Sequence, residues 1–361
     1  MKIKKLVLAI VLIISTILVG CGSSSTATSS QNNSSARVVT DMLGNEVSLL
    51  GEVNRVYFDW ASGITLAMPL GAIEKVIAKP AAFEEDSFAW ARVICPSINA
   101  VPTENDIFTS DNVESVLNLE PDVVITNTPD AVESYANIGI KALYVKFSDY
   151  DSFKESLLIV GKALGETEYN NALKYNQLLD ENIAMVRERT ANIQDSDKKK
   201  VYYMDSRFDD IYHTVGSGEI QESWIESAGG ILATDGIFEG KNVEITIEEF
   251  LNLNPDIILI GAQTQAEVFD QLISDEILSE LDAVKNEEVY RLPQGLFPWC
   301  RTGPEAAIHV IWAGKFLHPE LFEDIDMKIV TKDFYKEFFG TDVPDEYIDE
   351  ILAGHLTPNG R

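Results

Sequence analysis

The chain has 361 residues, 45% hydrophobic and 24% charged, which is enough apolar material for a large core and excludes disorder of the whole chain. The formal net charge is −30, from 58 acidic and 28 basic residues, and a surface this negative argues against a nucleic-acid partner. Four His and three Cys are too few for a Cys/His zinc cluster or a disulfide framework.

The first 20 residues have the form of a secretory signal peptide. A lysine-rich start, Met1–Lys5, precedes an apolar run over Leu6–Val19, which is shorter than the roughly 20 residues that a transmembrane helix needs. The run ends in Leu18-Val19-Gly20-Cys21, which resembles the bacterial lipobox, whose Cys is acylated and becomes the new N-terminus. The sequence therefore predicts a signal peptide over residues 1–20, a lipid on Cys21 and an extracytoplasmic protein anchored to the cell membrane.

A polar segment follows the predicted lipid. Gly22–Ala36 consists almost entirely of Ser, Thr, Asn, Gln, Gly and Ala, and such a composition cannot bury enough apolar surface to fold. Residues 21–37 are therefore predicted to be the lipidated Cys and a flexible linker to a folded body. Because acyl chains supply the membrane affinity, the anchor needs no basic patch.

The body alternates short apolar strands with helices, which is typical of parallel sheets covered by helices. The second of two helical stretches, Thr167–Ile193, predicts one helix about 40 Å long, separated by Gly165 from a first stretch over Ser152–Leu164. The chain is thus predicted to divide into a first lobe at 38–150, a helical segment at 151–195 and a second lobe with a helical tail at 196–361. The predicted strands are Arg55–Asp59, Lys75–Ala78, Asp122–Asn127, Ala142–Phe147, Lys200–Met204, Asp256–Gly261 and Glu288–Leu292.

One sequence unit occurs in both lobes. Glu114-Ser-Val-Leu-Asn-Leu-Glu-Pro-Asp122 matches Glu248-Glu-Phe-Leu-Asn-Leu-Asn-Pro-Asp256, and a predicted strand follows each. Since Pro cannot continue the hydrogen-bond ladder of a helix, each unit is predicted to be a short helix, a Pro-Asp turn and a buried strand. The two lobes are therefore expected to share a local architecture.

The lipobox, the opening segment Val39–Val47, the paired units and Arg301-Thr-Gly-Pro-Glu305 together resemble substrate-binding lipoproteins of ABC importers. The resemblance is to the class that carries iron chelates, haem and cobalamin, and it covers about Val38 to Leu356. It implies an α/β fold of two Rossmann-like lobes bridged by one long helix, with a ligand cleft between them. It also implies a monomer that does no chemistry and delivers its ligand to a permease driven by a cytoplasmic ATPase.

Within that family, one surface glutamate on each lobe docks into arginine pockets of the permease. Glu114 and Glu248 match these positions through the resemblance. A structural interpretation competes with docking, because acidic residues in a first helical turn are also favoured by the helix dipole and by capping boxes. The repeated context of the two residues favours docking.

The ligand site is expected at the C-terminal ends of the parallel strands, facing the cleft. Trp299 and Arg301 follow the last predicted strand and are the main candidates, because an indole offers an apolar face and a guanidinium binds oxyanions with its planar fork. A Trp packed on its own lobe and an Arg paired with an acid are the alternatives. Arg207, Trp60 and Asn127 are further candidates because they follow predicted strands. Phe108 is a further candidate through the resemblance.

The ligand itself is left open by the sequence. A metal chelate, above all a ferric siderophore, is expected, with cobalamin, haem and molybdate or tungstate as alternatives in the same fold. A highly anionic ligand suits the acidic body only if Arg207, Arg301 and Lys79 converge.

A surface-anchored enzyme or an adhesin is a distant alternative to the importer receptor. Gly-x-Ser-x-Gly is absent and no His has metal-ligand spacing, so no catalytic residue, metal or cofactor is expected. Cys95 and Cys300 fall in opposite lobes, where a bridge would staple the cleft, and two buried thiols are therefore expected.

Overall fold

A computed structural model of the chain describes residues 36–104, 113–205, 208, 210–261 and 265–358. Within these ranges, no helix combines the length and the apolar character needed to cross a membrane. The strands are β1 (Arg37–Thr40), β2 (Glu46–Leu49), β3 (Val56–Phe58), β4 (Val123–Thr126), β5 (Ala142–Tyr144), β6 (Lys200–Met204), β7 (His213–Thr214), β8 (Ile231–Leu232), β9 (Val243–Glu244), β10 (Ile257–Ile260) and β11 (Val289–Arg291).

Helices cover the sheets and connect the strands. The α-helices are α1 (Ala89–Ile94), α2 (Val113–Leu117), α3 (Pro129–Asn137), α4 (Tyr150–Leu164), α5 (Glu166–Thr190), α6 (Ile220–Ser227), α7 (Ile247–Leu253), α8 (Gln265–Ser274), α9 (Asp282–Lys285), α10 (Ala306–Leu317), α11 (Met327–Phe339) and α12 (Asp345–Leu352). Short 3-10 helices lie at Ala61–Leu66, Ile73–Lys75, Ala81–Glu84, Asp86–Phe88, Pro96–Ala100, Asp195–Asp197, Leu278–Glu280 and Pro319–Leu321.

Each lobe contains a parallel sheet, which confirms the predicted α/β fold. The first lobe has the strand order β3-β4-β5, with Val56 paired to Val123 and Val124 to Ala142. The second has the order β11-β10-β6-β8, with Ile257 paired to Val201. The central strands β4 and β10 are buried along their whole length because helices cover both faces of each sheet.

The long helix α5 connects the two lobes. It has 25 residues, a length of about 38 Å. Near its start, the Asn171 side chain donates to the carbonyl of Leu70 in the first lobe at 2.9 Å. Further along, the Asn182 side chain donates to the carbonyl of Ala307 in the second lobe at 2.7 Å. The predicted bridging helix is therefore present, and α4 precedes it across the break at Gly165.

The C-terminal helices α11 and α12 return to the first lobe. The indole N–H of Trp90 in α1 donates to the carbonyl of His355 at 2.7 Å, and the Thr341 hydroxyl donates to the carbonyl of Ile94 at 2.8 Å. The tail of the chain thus adds a second set of contacts between the lobes, beside those of α5.

One predicted strand is wrong. Lys75–Ala78 is not a strand: its start belongs to a 3-10 helix, and Val76 forms a single bridge to Val56. The amides of Lys75 and Val76 donate to the carbonyls of Ala72 and Ile73 within this turn. Because those donors are already used, the segment pairs with the sheet only through the Ile77 amide, which donates to the carbonyl of Val56 at 3.1 Å.

Candidate ligand-binding cleft

A cavity of about 540 Å³ lies between the two lobes, at the C-terminal ends of the parallel strands. On the first lobe its wall is formed by residues that follow β3, β4 and β5, including Trp60, Asn127 and Lys146. On the second lobe the wall includes Asp205 after β6 and Arg301 after β11. This is the edge at which parallel α/β sheets bind ligands.

Aromatic rings dominate the wall of the first lobe. Trp60 directly precedes the 3-10 helix at Ala61–Leu66 and packs against Phe147 with ring centroids 6.3 Å apart. A Cβ on Gly63 would lie only 2.7 Å from the Trp60 ring, so the ring can rest on the backbone only because residue 63 is glycine. The adjacent Asp59 is buried, and burial raises its pKa to about 6.

The wall of the second lobe holds hydrogen-bond donors that no described residue engages. The Nη2 atom of Arg301 and the Oγ1 atom of Thr302 are both buried and have no hydrogen-bond partner within the described part of the chain. Thr302 is only 5% exposed. A buried polar group without a partner costs free energy. The pair is therefore suited to a ligand that accepts hydrogen bonds.

The second lobe also fixes the segment that carries these donors. The Gln221 side chain of α6 donates to the carbonyl of Cys300 at 2.8 Å, and the Arg301 amide donates to the carbonyl of Pro298 at 3.0 Å. Tyr203 of β6 joins the wall, and burial raises the pKa of its phenol well above the ordinary value of 10. Tyr203 therefore keeps its proton, and its hydroxyl is hydrogen-bonded to the side chain of Cys300.

The charge of the cavity wall differs from that of the whole chain. Among the described residues, the wall carries the cations Lys146, Lys241 and Arg301 and the carboxylates Asp205 and Glu219. The full chain instead has about twice as many acids as bases, 58 against 28. The described wall therefore carries one more cation than carboxylate on a strongly acidic protein, which favours an anionic ligand in the cleft over the surrounding surface.

The structure places Lys79 away from this cationic wall. Its Nζ atom is buried, donates to the carbonyls of Ile98 and Val101 and pairs with Glu84 at 2.9 Å. The convergence expected of Lys79 with Arg301 does not occur. Lys146 and Lys241, which the sequence did not single out, supply the positive charge instead.

Trp299 also lies outside the cavity wall. Its indole is 2% exposed and packs edge-on against His309 and Trp312, with centroid distances of 5.9 and 6.5 Å. The Trp299 amide donates to the carbonyl of Pro293, so the segment folds back on itself. Trp299 consequently faces the core of its own lobe, as in the alternative considered above, whereas Arg301 reaches the cavity.

The remaining sequence candidates fall into two groups. Trp60 and Asn127 lie in the cavity wall, while Cys21, Phe108 and Arg207 lie outside the described residues. Thr302, next to Arg301 in the Arg-Thr-Gly-Pro-Glu motif, is a wall residue that sequence reasoning missed. Its place beside a candidate Arg was the available signal.

The two repeated glutamates are both exposed, Glu114 on α2 and Glu248 in the first turn of α7. The capping box of α7 is made by Glu249, which accepts from the Thr246 amide at 2.7 Å. Glu248 is therefore not needed for capping. Cys95 and Cys300 are buried free thiols, as expected.

Comparisons with known proteins agree with this geometry. A profile of periplasmic binding proteins matches residues 69–296. The chain is also 22% identical over 327 residues to the molybdate-binding protein MolA of Haemophilus influenzae, covering 84% of this chain and 91% of the relative.

Solved structures share the fold. A periplasmic solute-binding protein from Veillonella parvula superposes with a TM-score of 0.75 at 21% identity, covering 88% of this chain and 97% of the other. Molybdate-bound MolA of Haemophilus influenzae superposes with a TM-score of 0.74 at 20% identity, covering 85% of this chain and 99% of the other. At these identities the likeness establishes the fold.

Proposed function

Because this chain belongs to the periplasmic binding protein family, in the class of non-catalytic extracytoplasmic receptors that serve ABC importers, we propose that its ligand is an oxyanion of the molybdate and tungstate kind. The observation that carries the proposal is the pair of buried, unpartnered donors on Arg301 and Thr302 in the cavity wall. Oxyanions accept several hydrogen bonds at once, and a guanidinium donates to them while keeping its charge.

The charge of the cleft and the nature of the relatives support the same ligand. Lys146 and Lys241 add positive charge beside Arg301. A relative that aligns over most of the chain is named for molybdate. The ferric siderophore expected from the sequence has less support than this oxyanion.

A larger metal chelate is the second candidate, and two features of the cleft favour it. The cavity of about 540 Å³ falls in the range of sites for drug-sized ligands, so a bare oxyanion would fill only part of it. Trp60, Phe147 and Phe297 offer apolar faces in the wall. A chelate with carboxylate or catecholate arms would use both the aromatic rings and Arg301.

Calorimetric titration of the mature chain with molybdate, tungstate, sulfate and a ferric catecholate complex separates these candidates. We expect molybdate and tungstate to bind and to raise the melting temperature, because a ligand at 100 times its Kd stabilises the folded state by about 2.7 kcal/mol. Binding of the ferric complex with no response to either oxyanion would transfer the proposal to the chelate. Mass spectrometry of the ligand that co-purifies with the protein provides an independent check.

The membrane anchor is a further part of the proposal. The lipobox places the lipid on Cys21, at the start of the polar linker. Replacement of Cys21 by Ala should release the protein or leave it unprocessed. Intact-mass measurement of the native mature N-terminus tests this, and a native mass without a lipid adduct would contradict it.

Glu114 and Glu248 complete the proposal as contacts to the permease, one on each lobe. Their exposure and their equivalent places in the repeated unit support this role.

A further inference from the structure

Glu305 is a buried acid that ligand binding, as proposed above, does not use. It ends the Arg301-Thr-Gly-Pro-Glu305 motif, is 2% exposed and lies at the start of α10, directly after the segment that carries Arg301. Acids are rarely buried this deeply unless they are paired. The contacts of its carboxyl group therefore need an explanation.

The carboxyl group of Glu305 holds the wall segment from the core side. Its Oε1 atom accepts from the backbone amide of Leu296 and, at 3.0 Å, from the hydroxyl of Tyr335 on α11. A Cβ on Gly295 would lie 2.2 Å from the same oxygen, so only glycine lets the backbone approach the carboxyl group this closely. Phe297, which follows Leu296 in the chain, lies in the cavity wall.

The bridging helix holds the other side of the same turn. The Tyr175 hydroxyl of α5 donates to the carbonyl of Pro304 at 2.9 Å and accepts from the amide of Ala307 at 3.1 Å. Glu305, between these two residues, is thereby fixed to an element that spans both lobes. The backbone on both sides of Glu305 is thus held by the bridging helix.

We propose that Glu305 is a positioning residue for the cleft: its carboxyl group anchors the 295–297 segment and so sets the place of Phe297 and Arg301 in the cavity wall. The expected effect of Glu305 on ligand affinity rests on the proposed function of the cavity. The anchoring of the 295–297 segment does not, because it is a property of the ligand-free protein.

The surroundings of the carboxyl group explain why it is neutral. The groups that face it are the amides of Leu296 and Phe297 from the wall segment, the Tyr335 hydroxyl from α11 and the Tyr175 hydroxyl from α5. No cation is among them, and burial raises the pKa of Glu305 to about 8. Among the described residues, the Oε2 atom has no hydrogen-bond partner, so a negative charge on the carboxyl group would be left without compensation there.

A dependence on pH follows from this protonation. Glu305 binds a proton in the folded protein at pH values where the same group is ionised in the unfolded chain. Its contribution to stability is therefore complete at acid pH and is lost as the pH rises towards and through about 8. Above that pH the anchor carries an unpaired buried charge, and the wall segment should loosen.

Hydrogen exchange on the ligand-free mature chain tests the anchor. Glu305→Gln keeps an acceptor and the neutral charge, and should leave the protection of the Leu296 and Phe297 amides unchanged at pH 7. Glu305→Ala removes the acceptor, and should raise the exchange rate of the Leu296 amide on the order of tenfold, as expected for a lost hydrogen bond. Between pH 7 and 9, wild type should lose protection relative to Glu305→Gln measured at the same pH.

Two further variants keep the inference testable if Glu305→Ala does not fold. Tyr335→Phe removes one donor and should have a smaller effect confined to the same segment. Glu168→Gln, at another buried acid that pairs with Lys75 at 2.6 Å, should leave exchange at 295–297 unchanged. Calorimetry with molybdate then adds the affinity, expected to fall about tenfold in Glu305→Ala and to stay near wild type in Glu305→Gln.

Two results would overturn the inference. One is unchanged exchange of the Leu296 amide in a folded Glu305→Ala protein. The other is a Glu305→Gln protein as loose as Glu305→Ala, which would mean that the carboxylate charge is required. If molybdate fails to bind wild type, the proposed ligand is wrong, and the exchange data still decide whether Glu305 anchors the wall.

Discussion

Where its strands begin, the second lobe repeats the side-chain contacts of the first. The Asp122 carboxylate accepts from the amides of Asn54 and Arg55, at 2.8 and 2.9 Å, just before β3 begins. The Asp256 carboxylate accepts from the amide of Lys200 at 2.7 Å, where β6 begins. Each Asp therefore ties its own strand, β4 or β10, to the neighbouring strand of the sheet.

The cationic side chains at these strand starts are also equivalent. Arg55 donates from Nε to the carbonyl of Glu120 at 2.9 Å, and Lys200 donates from Nζ to the carbonyl of Leu253 at 3.2 Å. Arg55 also donates from Nη2 to the carbonyl of Leu119, and Leu119 and Leu253 are equivalent residues of the repeated unit. Arg55 and Lys200 thus bind the backbone just before the two Pro-Asp turns in the same way.

Where the strands end, the lobes differ. The first lobe presents the rings of Trp60 and Phe147 to the cavity, while the second presents the unpartnered donors of Arg301 and Thr302. The repeated part of each lobe is thus its scaffold, and the part that is not repeated forms the ligand wall. If this division is correct, variants at equivalent scaffold positions should change transport or stability alike in the two lobes. Variants at the cavity wall should differ between the lobes in their effect on ligand affinity.

The largest effect is expected for the two docking residues together. Glu114→Arg combined with Glu248→Arg should abolish uptake in cells and leave ligand affinity unchanged. Single exposed ion pairs contribute only about 0.2 to 1 kcal/mol, but two distant pairs also fix the orientation of the complex. If the lobes dock equivalently, the two single variants should reduce transport to a similar extent.

The matched control for docking is Glu133→Arg combined with Glu276→Arg. These acids are also exposed, one on each lobe, and lie outside the repeated unit. The control makes the same change in net charge and should transport normally. Normal transport by the docking double variant, or equal loss in the control, would remove Glu114 and Glu248 from the permease contact.

The next effect in size concerns the two tryptophans that follow strands. Trp299→Ala should lower the free energy of unfolding by about 3 to 5 kcal/mol, because it empties a core site, with little change in ligand Kd. Trp60→Ala should mainly weaken ligand binding and change the free energy of unfolding less, since its ring lies in the cavity wall. Denaturant unfolding and calorimetry measure both quantities, and Trp299→Phe serves if the Ala variant does not fold. A large loss of affinity in a stable Trp299 variant would contradict the buried placement.

These tryptophans also mark how far the sequence could predict the site. The strands that became β4 and β10 were predictable, because an apolar run after Pro-Asp leaves little choice of structure. The direction of a side chain in an irregular loop was not predictable. It depends on turn hydrogen bonds, such as that from the Trp299 amide to Pro293, which no periodicity encodes.

The cations of the cleft show the same limit. Lys146 lies near the end of a predicted strand, and Lys241 lies before the second repeated unit. Neither position predicts a shared site, because the two lysines reach the same cavity only through the way the lobes pack together. Sequence reasoning named the correct edge of the sheets but not the set of side chains that meet there.

A smaller effect is expected at the cavity wall itself. Arg301→Ala should weaken oxyanion binding about 10- to 150-fold, because a charge-assisted hydrogen bond contributes about 1.5 to 3 kcal/mol. Arg301→Lys should also weaken binding, since it keeps the charge but loses the planar fork. In the first lobe, Asn127→Ala removes only a neutral donor and should cost about tenfold or less. Calorimetry with molybdate checks all three, and near-wild-type affinity in Arg301→Ala would remove Arg301 from the site.

The smallest effect, and the most direct test of the repeated scaffold, concerns the two Pro-Asp turns. Asp122→Ala and Asp256→Ala should each lower the free energy of unfolding by about 1 kcal/mol per lost hydrogen bond, with no effect on ligand Kd. Asp122 accepts two amides and Asp256 one, so the first-lobe variant should be the less stable of the two. Asn at either position keeps an acceptor and should restore most of the stability. Denaturant unfolding measures these differences, and a change in ligand affinity without a change in stability would mean that the strand starts also shape the cleft.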